Sequence, residues 1–516
     1  MTENDDRRAD AADVGRAGSL VEGWAEDVTT FNPVLAQDTF SQLAAGLCFE
    51  PLVTSDAAGA LVPALAEDVP QVEPDGRTYV FTLKDGLRWS DGSPLTSRDV
   101  VFTYGLLGEG IGRLEEVSAP DDRHVVLRTT KPHAPFLVTH GQYGILPAHV
   151  LGDVAADRLA DAPFNALPDV VSGVFAPVRR TAGEEIVFRR NRSFHRGPCR
   201  LEEFVYRVFP DGAAVADGLA SGEVDVGLID PFRMAELEAV PALDVVEIDL
   251  PTFNFYAHQL DLEKPAGRIF ADRAVRRALL LALDREEIVK TAAHGQAVVA
   301  GSMMPPTSWA YDPAAKPEYP YDPERAAQLL DASGWRRGAG GVRERDGRPL
   351  RFELLAGSNT RVWVDTAEAM RDAWRRLGAD VALTLLDFPD LLTRVAERRD
   401  FDVCMLAYTW GQDPDQSELF SSAAATDGFN CFGLSDPDVD EVLAAAVATF
   451  DRDERVRLYR DYQRLMQELV PAPALFFMKG LYGINRRVSG YRVGTYNQFG
   501  ARPWMADVST RQGGGR

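Results

Sequence analysis

Phe401-Asp-Val-Cys-Met-Leu-Ala-Tyr-Thr-Trp-Gly-Gln-Asp-Pro-Asp-Gln416 opens as an apolar, β-favouring run and breaks at Gly411 into a loop. The run has the length and composition of a strand covered on both faces, as in a parallel sheet. In open α/β sheets, ligands sit beyond the carboxyl ends of strands, so this loop is a candidate binding edge. Tyr408, Trp410, Asp413 and Asp415 stand in or beside it. A carboxylate next to an indole and a phenol suits a cationic, partly apolar small molecule. The same residues also fit a strand end followed by a solvated acidic turn.

Working backwards from that strand, the chain reads as strand (Arg351 to Ala356), helix (Asp365 to Leu377), strand (Val381 to Leu386) and shorter helix (Pro389 to Arg398). Met370, Ala373, Trp374 and Leu377 share one face of the longer helix. This is a βαβαβ pattern and predicts a parallel, doubly wound sheet. Further upstream, Asp322, Pro323 and Gly334 predict a capped, proline-started, glycine-ended helix. Near the amino end, Leu20 to Trp24 reads as a strand and Asp38 to Cys48 as a helix. Arg77 to Leu83 alternates, with Tyr79, Phe81 and Leu83 on one side, and two Asp-Gly turns follow. Thr96 then starts a helix with Asp99 completing a capping box.

The chain has 516 residues, too many for one core, and its 45% hydrophobic and 26% charged composition is that of a folded protein. The formal net charge of −23 argues against nucleic acid and anionic membrane as partners. No stretch approaches the length of a membrane span. Residues 1–17 are polar and aperiodic, predicting disorder without the apolar core of a signal peptide, and 511–516 read as a frayed tail. Cys48, Cys199, Cys404 and Cys431 form no C-x-x-C pair; Cys404 and Cys431 are either bridged or two buried thiols. The spacing of His133, His140 and His149 matches no ligand helix, so neither metal nor cofactor is expected. Enzyme signatures are missing. There is no Gly-x-Ser-x-Gly, Walker loop or His-Glu-x-x-His, and the glycines of 108–112 follow a helix rather than a strand.

The run Leu61 to Tyr104, with Trp89, Asp91-Gly92, Pro94-Leu-Thr96 and Asp99-Val100 at its heart, resembles the signature of the extracellular solute-binding proteins of family 5. These serve peptide and nickel ABC importers. Ile145-Leu-Pro-Ala-His149, Ser221-Gly-Glu-Val-Asp-Val226, Val275 to Arg285, Tyr321 to Leu330 and Asp436 to Asp440 are similar to further elements of that family. Ser172-Gly-Val-Phe-Ala176 departs from its usual Gly-Thr…Gly-Pro-Tyr.

The resemblance implies an α/β, periplasmic-binding-protein type II-like fold with two lobes, a hinge and three domains. Domain I would comprise 18–52, 165–251 and 480–516, domain II 53–164, and domain III 252–479. It also implies that an Asp three residues after a Trp receives a ligand ammonium group. Trp410-Gly-Gln-Asp413 has that spacing, and Asp415 is the alternative because the loop is short. Phe40, Tyr256, His258, Met303, Met304, Arg361, Trp363, Tyr408 and Asn430 fall in segments that line the family's cleft. Arg361 could pair with a ligand carboxylate. The arginine that dipeptide binders carry at the end of this strand is replaced by Gly357.

Two functions are therefore expected. One is a monomeric receptor that clamps a peptide-like or cationic small molecule for the membrane subunits of an ABC importer. It would be extracytoplasmic if a signal has been removed. The other is a cytoplasmic enzyme reusing the fold, if Met1 is the native start, condensing an amine with a carbonyl in a Pictet–Spengler-like ring closure. Asp413 and His258 would then do the acid–base work.

Overall fold

The computed structural model describes residues 18–56, 59–108, 114–197, 199–313, 319–495 and 502–511. The expectations for residues 1–17, most of the 108–112 loop and the extreme carboxyl end lie outside them. The chain forms two compact units, 1–248 with 480–516, and 249–479.

The first unit starts with strand β1 (Ser19–Trp24) and helix α1 (Thr39–Cys48), which is capped by the Asp38 side chain. Strand β2 (Thr78–Thr82) follows, with Tyr79 and Phe81 buried and Val80 exposed, the alternation expected of a half-covered strand. Helix α2 (Ser97–Leu107) begins with the expected capping box: the Asp99 carboxylate accepts the Thr96 amide at 2.8 Å. Strands β3 (Leu114–Ser118) and β4 (His124–Thr129) join β2 in a three-stranded sheet. The unit continues with β5 (Phe175–Thr181), β6 (Glu185–Arg190), β7 (Glu203–Val208), helix α3 (Gly212–Ser221) and β8 (Val226–Leu228). β1 pairs in parallel with both β7 and β8. One continuous core joins these strands to residues of the 53–164 segment such as Phe81, Val125 and Leu127.

Strand β9 (Leu243–His258) carries the chain into the second unit. There, α4 (Arg273–Leu281) and α5 (Pro323–Ala332, capped by Asp322) precede the predicted βαβαβ run. It consists of β10 (Arg351–Gly357), α6 (Arg361–Leu377), β11 (Asp380–Leu386), α7 (Phe388–Leu392) and β12 (Val403–Thr409). β10 pairs in parallel with β11 and with β12, as the pattern requires. Helix α6 starts four residues earlier than its apolar stripe suggests, because Thr360 caps it by accepting the Trp363 amide. Gly378, at φ +105°, ends it. β9 runs antiparallel to β12. Two helices, α8 (Pro437–Ala448) and α9 (Arg452–Leu469), bury side chains in the same core as Phe253 and Trp410. Strand β13 (Ala474–Asn485) then returns to the first unit, where Tyr482 to Ile484 pair with β8.

Candidate functional site

The parallel strands β10, β11 and β12 of the second unit all end at one edge, and aromatic side chains collect there. Gly357 closes β10. A Cβ at that position would stand 2.5 Å from Cε3 of Trp363, so the indole occupies the space that any side chain at 357 would need. The indole Nε1–H of Trp363 donates to Asn254 Oδ1 at 2.9 Å, which fixes the ring from β9. Phe388, at the start of α7 and 42% exposed, meets Trp363 edge-on at 6.3 Å. From β12, Tyr408 and Trp410 lie 4.6 Å apart, and Trp410 stacks parallel on Phe253 at 5.3 Å. Gly357 thus makes room for the Trp363 indole.

Beyond Trp410 the loop turns inward. Asp413 is 8% exposed and is gripped by Arg455 of α9, with Nη1 to Oδ2 at 2.9 Å and Nη2 to Oδ1 at 2.7 Å. The same guanidinium donates to the Tyr459 hydroxyl at 3.2 Å and stands 5.1 Å from the Trp309 ring centre. Burial raises the Asp413 carboxyl, and the guanidinium opposes that rise. The cation beside Asp413 in the structure is thus one of the protein's own, the Arg455 guanidinium. Asp415 is half-buried. Its Oδ1 accepts the Ser417 amide at 2.9 Å and the Ser417 hydroxyl at 2.5 Å.

Several other candidates belong to the core instead. Tyr256 is fully buried and packs edge-on against Trp374 at 5.3 Å. His258 is equally buried, between Tyr256 and Phe270, and its Nδ1–H donates to the Pro471 carbonyl at 3.0 Å. Burial, with Arg276 nearby, drives its imidazole down to about 3, so the ring is neutral. Tyr256 and His258 point away from the Phe253–Phe255–Trp410 stack by strand alternation, so His258 and Asp413 form no acid–base pair. Met304 is fully buried in that stack's core, and Met303 nearly so.

Asn430 uses its side chain as a clamp: Nδ2 donates to the carbonyls of Ser421 and Leu434, and Oδ1 accepts the Leu434 amide. Arg361 is exposed and leans on Asp365 at 3.4 Å. Phe40 lies in the first unit, half-buried, edge-on to Trp24 at 5.1 Å. All four cysteines are free, buried thiols. Arg455, Asn254 and Phe388 were missed in the sequence. Arg455 is one of several arginines on an amphipathic helix, and nothing local distinguishes it.

The model of the bacterial extracellular solute-binding proteins, family 5 Middle, matches residues 60–430. The chain belongs to this family. It is 25% identical to the oligopeptide-binding protein AppA of Bacillus subtilis over 95% of this chain and 91% of the relative. It is 30% identical to protein XP55 of Streptomyces lividans, covering 90% of this chain and 83% of the relative. Among solved structures, NikA from Brucella suis in complex with Fe(III)-EDTA superposes with a TM-score of 0.83 at 23% identity, covering 96% of this chain and 100% of that one. The fold is thus that of the periplasmic-binding-protein class implied by the sequence.

Proposed function

We propose that the chain is a monomeric receptor that captures a peptide-like or cationic small molecule outside the cytoplasm and delivers it to the membrane subunits of an ABC importer. The observation that carries this reading is the aromatic edge at the ends of β10, β11 and β12, where Trp363, Phe388 and Tyr408 remain partly open. Rings set on rigid strand ends bind by area and shape, and a receptor needs nothing more. Family membership supports the importer role, and the oligopeptide-binding relative supports a peptide-like ligand. The condensation reading loses its acid–base pair, because Asp413 is committed to Arg455 and His258 is buried on the other strand face.

Native mass spectrometry with short peptides, amines and amine–aldehyde pairs tests the proposal. A one-to-one adduct of unchanged ligand mass, weakened by about tenfold or more in Trp363→Ala, is expected. A released product of new mass, formed with turnover, would overturn the receptor reading.

A further inference from the structure

Five arginines are buried among the described residues, and four of them have their charge answered. Arg343, Arg455 and Arg502 each face a carboxylate, that of Asp331, Asp413 and Glu22 respectively. Arg276 covers the carboxyl end of α9: its Nε–H donates to the carbonyls of Leu469 at 2.9 Å and Val470 at 3.2 Å. The negative end of the helix dipole is its counterpart. Arg285 is the exception. It ends the Val275–Arg285 element and is 7% exposed. Its Nη1 donates to the carbonyls of Ala300 and Ala474 at 3.2 and 3.3 Å, and its Nη2 to that of Tyr319 at 2.9 Å. Burial pulls its pKa below the ordinary arginine value, and no carboxylate opposes the fall. A buried charge normally has an opposite charge beside it.

Arg285 lines a cavity of about 50 Å³ together with Ser302, Met303, Gln463, Gln467 and the apolar side chain of Met466. That volume has room for a halide ion. Ser302 and Met303 are 6% and 5% exposed, yet their backbone N–H groups donate to no acceptor among the described residues. Buried amides nearly always have a partner. The side-chain oxygen next to them is committed: the Ser302 hydroxyl donates to Gln463 Oε1 at 2.8 Å and accepts the Met304 amide at 3.2 Å. One cation without a counter-charge and two buried amides without acceptors border the same cavity. A small anion answers all three.

We propose that this cavity binds a monovalent anion of halide size, held by Arg285 and the Ser302 and Met303 amides. The site belongs wholly to the second unit, and the inference is independent of the receptor reading. A bound halide joins the 300–303 turn to Arg285 and, through Arg285, to the start of β13.

The test melts the purified full chain in sodium chloride, sodium bromide and sodium gluconate at matched ionic strength, the gluconate anion being too large for the cavity. Crystals grown with bromide are also measured at the bromine absorption edge. Tm is expected to be higher by about 3 °C or more in the halides than in gluconate, and Arg285→Met is expected to remove the difference. An anomalous peak beside the Arg285 guanidinium is expected in the bromide crystals. Equal Tm in all three salts overturns the inference. So does a halide gain that persists in Arg285→Met, which is then a general salt effect. If Arg285→Met fails to fold, the bromide crystals decide: a peak in the cavity upholds the inference, and a cavity without anomalous signal overturns it.

Discussion

At the scale of single residues, a carboxylate is defined by its partner more than by its place in the sequence. Asp413 was legible as a candidate anchor only through the family resemblance, which gives meaning to its place three residues after Trp410. Its real partner, Arg455, comes from a helix that follows much later in the chain, and no local pattern connects them. Removing the guanidinium strands a buried charge, which generally costs about 3–5 kcal/mol, whereas replacing both partners by apolar groups is often tolerated. Arg455→Met should therefore lower the urea midpoint sharply, and Asp413→Leu with Arg455→Met should recover much of it.

His258 gives a pH signature. Its folded value of about 3 lies below the ordinary 6.5, so as pH falls below 6.5 the unfolded chain takes up a proton that the folded one refuses. Stability is fully present above 6.5 and declines toward pH 3, by about 2 kcal/mol at pH 5. His258→Phe should flatten that part of the pH–stability profile in denaturant titrations, whatever it does to the value at pH 7.

At the scale of elements, the βαβαβ run was readable because its strands are short apolar runs and its helix keeps one apolar stripe. Which face a strand residue occupies was not readable on β9. Residues 253–258 are buried on both faces, so the sequence shows no alternation there, and Tyr256, His258 and Phe255 look alike. The packing of Trp363 over Gly357 was equally hidden, since it joins the end of a strand to the first turn of the next helix. Gly357→Ala should push the indole off its seat and break its bond to Asn254. A loss of about 1–3 kcal/mol is expected from the crowding, with a change in tryptophan emission reporting the displaced ring. An unaltered emission spectrum would contradict the packing described here.

At the scale of the molecule, the first unit is discontinuous in sequence and the second is not. Two buried ion pairs bind the returning segment: Arg487 to Asp225, with oxygen–nitrogen distances of 2.5 Å, and Arg502 to Glu22 at 3.0 and 3.1 Å. Asp225 and Glu22 are fully buried. Residues 249–479 expressed alone should therefore melt cooperatively. Residues 1–248 alone should not fold, because both carboxylates would be buried without a counter-charge. Adding 480–516 as a separate peptide, followed by circular dichroism, should restore structure to that fragment.

The late return of the chain also sets a clock on synthesis. The arginines that neutralise Glu22 and Asp225 leave the ribosome about 240–250 residues after the first stretch of their unit, about 10–50 s later at ordinary elongation rates. Throughout that interval the amino-terminal half is a waiting polymer, unable to lock, while the middle of the chain can already collapse on its own. The amino-terminal part of the first unit is thereby expected to stay pliable until the last residues are made.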